Sequence, residues 1–201
     1  LVKEQQDTRD RAAEFADRSF FESLRLEPYY EFAAQQVPVA APFLQGLIAD
    51  TRGRSDTLVH GDYSPKNILV HGGRLVLLDH EVIHWGDPSF DIGFAMTHFL
   101  SKLHHLPAAR RDFAKAAATF AVDYAHFAGS LWNLELESMA VLQTLGCMLA
   151  RVAGRSPLEY LDDNERDRQR RIVVELMRRP PANLTDLVSS FHAALLSPAS
   201  Q

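Results

Sequence analysis

The stretch LVHGDYSPKNILVHGGRLVLLDHEVIHWGDPSFDIG, residues 58–93, decides the fold, because it sets Asp, Asn, His and Glu between short apolar runs. Gly72 and Gly73 both tolerate positive φ, and such a pair between two apolar runs is a strong signal for a two-residue hairpin turn. The apolar runs around them predict three strands, at 57–59, 68–70 and 75–78.

This glycine turn also predicts the register of the hairpin. Val70 should pair with Leu75, and further out Asn67 with Leu78, so that Asn67 and Asp79 emerge side by side at the open end. Asp62, in the loop before Asn67, should return near the same end. Oxygen-bearing side chains converging beyond strand ends predict a site for a hard cation, with one more carboxylate beside it.

Two motifs in this stretch resemble those of a known family. Residues 60–67, HGDYSPKN, are similar to the H-x-D-x-x-x-x-N catalytic loop of protein-kinase-like phosphotransferases. The run LLDHE at 77–81, followed by Gly86-Asp87-Pro88 and Asp91-Ile92-Gly93, resembles the aminoglycoside phosphotransferase/choline kinase family. The resemblance implies an α+β, mainly helical fold: a protein-kinase-like C-terminal lobe whose small β-hairpin carries the catalytic and metal-binding loops.

The resemblance also implies roles for individual residues. Asp62 would orient the acceptor hydroxyl and take its proton, while Asn67 and Asp79 would hold one or two Mg²⁺ ions that bridge the phosphates of ATP. His60 and Asp91 would support the catalytic loop. The plainer alternatives are a loop-capping Asp62, a turn residue at Asn67, a strand-end cap at Asp79 and simple helix capping by Asp91.

Contacts to the nucleotide and the acceptor are expected from the neighbouring residues. By resemblance, Leu69 would face the adenine ring, and Ser64 would approach phosphate or substrate. Glu81, Trp85 and Glu135 form a candidate acceptor site, because carboxylates with an indole face suit an amine or a quaternary ammonium. The alternative is ordinary surface charge and a core tryptophan.

Composition narrows the class of protein. The chain has 201 residues, which predicts one domain over 1–201, and its net charge of −5 without a basic stripe argues against nucleic-acid binding. No run approaches the roughly 20 apolar residues that span a bilayer, and no secretory pattern is present, so a cytoplasmic protein without membrane contact is expected. The single cysteine, Cys147, lies in an apolar helix and is predicted to be inert core.

Outside the central stretch, hydrophobic periodicity predicts helices. Glu27-Pro28 should interrupt the first of them, Asp87-Pro88 should open a fully buried helix, and Ser156 to Glu159 reads as a capping box. The predicted helices lie at 3–25, 29–34, 41–50, 88–105, 108–127, 132–152, 156–177 and 184–196.

Nothing in the sequence matches the second, N-terminal lobe of such kinases. There is no G-x-G-x-x-G, and the lysines lie outside any plausible N-lobe strand: Lys3, Lys66, Lys102 and Lys115. We therefore expect that the chain is the C-terminal lobe of a longer protein with roughly another hundred residues upstream, judged from usual domain sizes. Alone it should bind ATP weakly and turn over negligibly.

Three functions compete at this point. The first is an ATP- and Mg²⁺-dependent phosphotransferase acting on a hydroxyl of an aminoglycoside, choline, a sugar or an amino alcohol. The second is a catalytically silent binding module with the same fold. The third is a metal-dependent hydrolase, whose ligands would come from one set of side chains: His60, Asp62, Asp79, His80 and His84.

Overall fold

The computed structural model describes Val2, Gln5 and residues 9–197, and this part of the chain is mainly helical. The segments Ser19–Phe21, Glu22–Glu31 and Phe32–Gln36 run on without a break and are called helix α1. The other long helices are α2 (Ala41–Gly53), α3 (Ser89–His105), α4 (Arg110–Ala128), α5 (Leu134–Ala153), α6 (Asp163–Arg178) and α7 (Leu184–Leu196). Short 3₁₀ helices lie at Arg9–Phe15, Pro38–Ala40, Pro65–Asn67, Pro107–Ala109 and Gly129–Leu131.

The strands form two antiparallel pairs. β2 (Ile68–His71) pairs with β3 (Arg74–Leu77) through the Gly72-Gly73 turn, and Val70 lies opposite Leu75 as predicted. β1 (Thr57–Val59) pairs with β4 (His84–Gly86), a strand that the sequence patterns did not indicate. The hairpin register is thus confirmed, because the two glycines, at φ 54° and 73°, fix the turn.

The first helical region differs from the prediction in two ways. Within the predicted helix 3–25, Gln5 is helical, Arg9–Phe15 is a 3₁₀ segment, residues 16–18 are a break and α1 begins at Ser19. The other residues of 3–8 lie outside the described part. Pro28 does not end α1, which passes through it as a π-helix. A π-type turn has no i→i−4 ladder for the proline ring to obstruct, so the helix continues.

Helix α6 begins later than predicted. Ser156 does not cap it; the capping box consists of Asp162 and Glu165, whose backbone amides each donate to the other's carboxylate at 3.0 and 2.8 Å. Leu158 and Leu161, only 3 % and 2 % exposed, anchor the segment before the box in the protein interior. Both Ser156-Glu159 and Asp162-Glu165 match the capping-box pattern. The helix begins at the second, because the two buried leucines hold the preceding residues in the interior.

The core is built around α3 and α5, which cross closely. A Cβ at Gly93 of α3 would lie 2.5 Å from the Cβ of Gln143, so only glycine permits this approach. Gln143 is itself buried and links three helices: it accepts from the Tyr30 hydroxyl at 2.6 Å and donates to Thr51 at 2.7 Å. The predicted burial of α3 on nearly all sides is confirmed by Phe90, Ile92, Met96, Leu100 and Leu103, each fully buried.

Helix α5 corrects one expectation about apolar runs. By length and composition alone it is sufficient to cross a membrane, although 67 % of its most apolar window is buried inside the protein. Core helices pass the same test, so composition does not distinguish the two. Cys147 lies in this buried helix as predicted, and burial raises the pKa of its thiol to about 12, which leaves it protonated and unreactive.

Candidate active site

The loop that follows β1 is tied to the first turn of α3. The carboxylate of Asp91 accepts hydrogen bonds from the backbone amides of His60 at 2.7 Å and Gly61 at 2.8 Å. Asp91 is fully buried, and a carboxylate near a helix N-terminus is favoured by the helix dipole. Charge-assisted hydrogen bonds to two consecutive amides hold this loop against the core helix.

His60 bridges the loop and the end of the hairpin. Its Nδ1 accepts from the amide of Asp62 at 3.2 Å, and its Nε2 lies 3.0 Å from the carbonyl oxygen of Leu78. These partners assign the proton to Nε2, which donates to Leu78. Both ring nitrogens are hydrogen-bonded to the backbone, so the His60 side chain links the 60–67 loop to the end of β3.

Asp62 and Asn67 meet at the floor of the site. The Nδ2 of Asn67 donates to both the carbonyl oxygen and the Oδ2 of Asp62, each at 2.9 Å. Both side chains are buried, at 4 % and 5 % exposure for the two residues. Because the amide nitrogen is committed to Asp62, the Oδ1 of Asn67 is the oxygen that can coordinate a cation.

Asp79 follows β3 beside this pair. The amide of Leu78 donates to the carbonyl of Asn67 at 2.8 Å, so the open end of the hairpin lies next to the loop. Asp79 has φ 65°, in the left-handed region that non-glycine residues rarely adopt, and its side chain is exposed. The amide oxygen of Asn67 and the carboxylate of Asp79 suit Mg²⁺, which takes few protein ligands besides phosphates and water.

Two cations flank the Asp62 carboxylate. The guanidinium of Arg25 lies 3.2 Å from its Oδ2, and the Nζ of Lys66 lies 3.0 Å from the same oxygen. Arg25 also donates from Nε to the carbonyl of Gly61 at 2.6 Å. The buried carboxylate is therefore compensated by charge on both sides.

Sequence reasoning missed Arg25. Phe21, Arg25 and Tyr29 recur at a spacing of four along α1, and all three are buried. An arginine within such an apolar stripe needs a buried partner, which was the available signal. The partner itself was not predictable, because it lies in a loop far along the chain.

A cleft of about 750 Å³ opens above Asp62. Asp79, Glu81 and Ser64 also line it, and the Oγ of Ser64 is buried without a hydrogen-bond partner among the described residues. The volume is within the range of about 300–1,000 Å³ typical of small-molecule sites. Asp62 and Asp79 thus line the same cleft as Ser64, which was predicted to approach phosphate or substrate.

The hairpin beside this cleft has an uncovered apolar surface. Leu69, predicted to face the adenine ring, is 49 % exposed, and Val70 and Leu75 are 70 % and 72 % exposed. The strands are therefore apolar without being buried. Exposed apolar side chains grouped on one hairpin are typical of a contact site.

Two of the predicted acceptor residues lie elsewhere. Trp85 and Glu135 line a separate cleft of about 620 Å³, and only Glu81 lies at the cleft of Asp62. Trp85 is 8 % exposed and donates from Nε1 to the carbonyl of Ser55 at 3.0 Å, while Glu135 pairs with Arg54 at 2.5 Å. The pairing of β4 with β1 sets the position of Trp85 and separates it from Glu81.

The residues of the proposed hydrolase do not assemble into a metal site. Within residues 9–197, no group of three or more His, Cys, Asp or Glu side chains could hold a metal ion. His84 is buried, its Nδ1 donates to the carbonyl of Val82 at 2.9 Å, and its ring lies 4.0 Å from that of Phe21. Burial lowers the pKa of His84 to about 4, as expected for a neutral core histidine.

Comparison with known proteins agrees with the motifs. A search of curated proteins found no match. The sequence model of the phosphotransferase enzyme family, APH, matches residues 2–127, which include the 60–67 loop, the hairpin and all of α3. Because this match covers more than half of the chain, the protein belongs to the APH phosphotransferase enzyme family.

Proposed function

We propose that the protein is an ATP- and Mg²⁺-dependent phosphotransferase that moves the γ-phosphate to a hydroxyl of a small molecule. The observation that carries this proposal is the buried Asp62 carboxylate, hydrogen-bonded to Asn67 at 2.9 Å at the floor of a cleft. Family membership supports the reaction class, and the anchoring of the loop by Asp91 supports a rigid catalytic geometry.

Asp62 is the proposed catalytic carboxylate. It accepts a hydrogen bond from the acceptor hydroxyl and takes its proton as the oxygen bonds to the γ-phosphorus. The bond from that phosphorus to the β–γ bridging oxygen breaks, and ADP leaves. General-base assistance of this kind is worth about 10²–10⁴-fold in rate.

Asn67 and Asp79 are the proposed metal ligands, with one or two ions bound together with the nucleotide. Mg²⁺, when bound, would neutralise charge on the β- and γ-phosphates. Lys66 lies beside Asp62, with its side chain 68 % exposed, and would approach the transferring phosphoryl group. Ser64 offers a hydroxyl on the same side of the cleft.

The apolar hairpin is proposed as the floor of the nucleotide site. Leu69 would contact the adenine ring, and an N-terminal lobe would cover the rest of the hairpin. The support is the exposure of apolar side chains on both faces of the hairpin, from which a nucleotide and a second lobe would exclude water. These side chains are Leu69, Val70, Leu75, Val76 and Leu78.

The test compares Asp62→Asn with wild type, in protein that includes the proposed N-terminal lobe, for Mg²⁺–ATP binding and for transfer to a panel of hydroxylated acceptors. We expect unchanged nucleotide affinity and a loss of transfer of at least about 10²-fold. Asp167→Asn, the same change at an exposed carboxylate of α6 paired with Arg170, is the control and should retain transfer. Normal transfer by Asp62→Asn contradicts the proposed role, and nucleotide binding without transfer by wild type identifies a silent binding module.

A further inference from the structure

The part of the cleft lined by α3 and the end of α5 is rich in basic residues, with Glu159 as the acidic residue nearby in the chain. Along α3, Phe94, His98 and Lys102 recur at a spacing of four, so they share one face, and all three line the cleft of Asp62. Arg151, in the last turn of α5, and Arg155, just beyond it, line the same cleft. Lys102, Arg151 and Arg155, with the neutral Phe94 and His98 beside them, are called the basic wall. None of these residues belongs to the phosphate and metal site proposed above.

Neutral groups position two of these cations. The Nζ of Lys102 lies 3.5 Å from the centroid of the Tyr160 ring, and the guanidinium carbon of Arg155 lies 5.0 Å from the centroid of the Phe32 ring. Among the residues that the structure describes, neither has a carboxylate within 4.0 Å. Elsewhere exposed arginines do pair, as Arg52 does with Glu22 at 2.7 Å.

Arg151 is likewise held by neutral oxygens. It donates to the Tyr29 hydroxyl at 3.1 Å and to the carbonyl of Ser156 at 2.5 Å, and its buried Nε has no partner in the described part of the chain. No carboxylate within that part lies within 4.0 Å of this guanidinium. Its charge is therefore oriented but not neutralised.

The local field agrees with this arrangement. The pKa of His98 is lowered to about 4, chiefly by burial and also by the positive charges of Arg151, Lys66 and Lys102, while Asp62 opposes them. His98 is thus neutral near pH 7. Asp62 is already compensated by Arg25, and Asp79 is assigned to the metal. Glu81 and Glu159 also line the cleft, so the three cations Lys102, Arg151 and Arg155 exceed the carboxylates that are left by one.

We propose that the acceptor carries an anionic group, a carboxylate or a phosphate ester, bound by Lys102, Arg151 and Arg155 while its hydroxyl lies at Asp62. The inference rests on the proposed function, whose substrate class it names. It replaces the cationic acceptor expected from Glu81, Trp85 and Glu135, because the last two residues lie in another cleft. Guanidinium forks bind carboxylate and phosphate oxygens in pairs, which gives selectivity over neutral polyols.

The experiment measures binding of glucose and three of its derivatives to the protein by calorimetry, without nucleotide and at fixed ionic strength. The derivatives are gluconate, glucose 6-phosphate and glucosamine. We expect at least one anionic probe to bind about tenfold or more tightly than glucose, with an affinity that falls as salt is added, and glucosamine to bind no better than glucose. Gluconate and glucose 6-phosphate separate a carboxylate site from a phosphate site.

Two charge-removing variants locate the binding. Lys102→Met and Arg155→Gln should each weaken binding of the anionic probe by about tenfold, because each removes one cation from the wall that would contact it. Arg178→Gln, which removes the same charge from an exposed pair with Glu175, is the matched control and should bind as wild type does. Arg151 is left intact because its bonds to Tyr29 and Ser156 support the wall.

Several results would overturn the inference. These are equal binding of anionic and neutral probes, tighter binding of glucosamine, or anion binding that neither variant weakens. Loss of Mg²⁺–ATP affinity in Lys102→Met and Arg155→Gln would assign the cations to the nucleotide instead. Probe binding needs no nucleotide, so the two proposals can fail separately. If the anionic probes do not bind, a loss of transfer in Asp62→Asn still supports the phosphotransferase. If Asp62→Asn transfers normally, selective binding of an anionic probe still supports an anion site at the basic wall.

Discussion

The guanidinium of Arg25 lies 3.2 Å from the carboxylate of Asp62, and both side chains are at most 10 % exposed. Helix α1 therefore supplies a buried counter-charge to the proposed catalytic residue, and its Nε also holds the carbonyl of the adjacent Gly61. The stability of this loop and its chemistry depend on the same contact.

Replacing Arg25 with methionine should destabilise the protein by about 3 kcal/mol, because removing one partner of a buried pair leaves the other charge desolvated. The value lies at the low end for such pairs, since Lys66 still contacts Asp62 at 3.0 Å. Urea unfolding measures the difference. Arg178→Met, which breaks an exposed pair, should change stability by less than about 0.5 kcal/mol, and an equal effect of the two changes would contradict the buried role of Arg25.

Alanine at Gly61 should lower stability by about 2–3 kcal/mol. Gly61 has φ 77°, and a Cβ there would lie 2.8 Å from the Val82 Cγ2 and 3.0 Å from the Val82 carbonyl oxygen. Gly46 provides the control, because it lies within α2 with nothing within 4 Å of an added Cβ. Gly46→Ala should stabilise by about 0.5–1 kcal/mol, so thermal unfolding of the two variants should shift in opposite directions.

Asp79 should show a trade-off between stability and nucleotide binding. Its φ of 65° suits glycine, so Asp79→Gly should be about 1 kcal/mol more stable than Asp79→Ala, which keeps the strained backbone. Both variants should lose Mg²⁺-dependent nucleotide binding, since each removes a proposed ligand. Chemical denaturation and nucleotide titration are the measurements, and retained Mg²⁺-dependent binding in both would remove Asp79 from the metal site.

Stability should fall on mild acidification because of the buried histidines. His84 and His98 ordinarily titrate near 6.5, and burial lowers the pKa of each to about 4 in the folded protein. Between these values the unfolded state binds protons that the folded state does not. Their contribution is therefore complete above about pH 6.5 and is lost as the pH falls toward 4, at up to about 1.4 kcal/mol per pH unit for each histidine.

The variant His84→Asn isolates one of these contributions. Asparagine does not titrate, and its amide can replace the Nδ1 donor that serves the Val82 carbonyl. The slope of unfolding free energy against pH should then decrease by up to one proton between pH 4 and 6.5. An unchanged slope would show that His84 does not titrate with unfolding.

Local rules account for the parts of this protein that were predicted correctly. The paired glycines place Val70 opposite Leu75, and periodicity locates α3, α4, α5 and α7 to within a few residues. These features depend on near neighbours in the chain: turn geometry, capping and hydrophobic spacing. The motif at 60–67, together with those at 77–81 and 86–93, likewise sufficed to identify the family.

Long-range packing determined the features that sequence patterns did not predict. The partner of Arg25, the split of Trp85 from Glu81 and the start of α6 at Asp163 all depend on contacts between segments far apart in the chain. Local spacing carries no information about which distant backbone satisfies a buried charge or which of two capping motifs has buried leucines beside it. The basic wall arises in the same way, because α3 and α5 bring Lys102 and Arg151 to one cleft only after they pack.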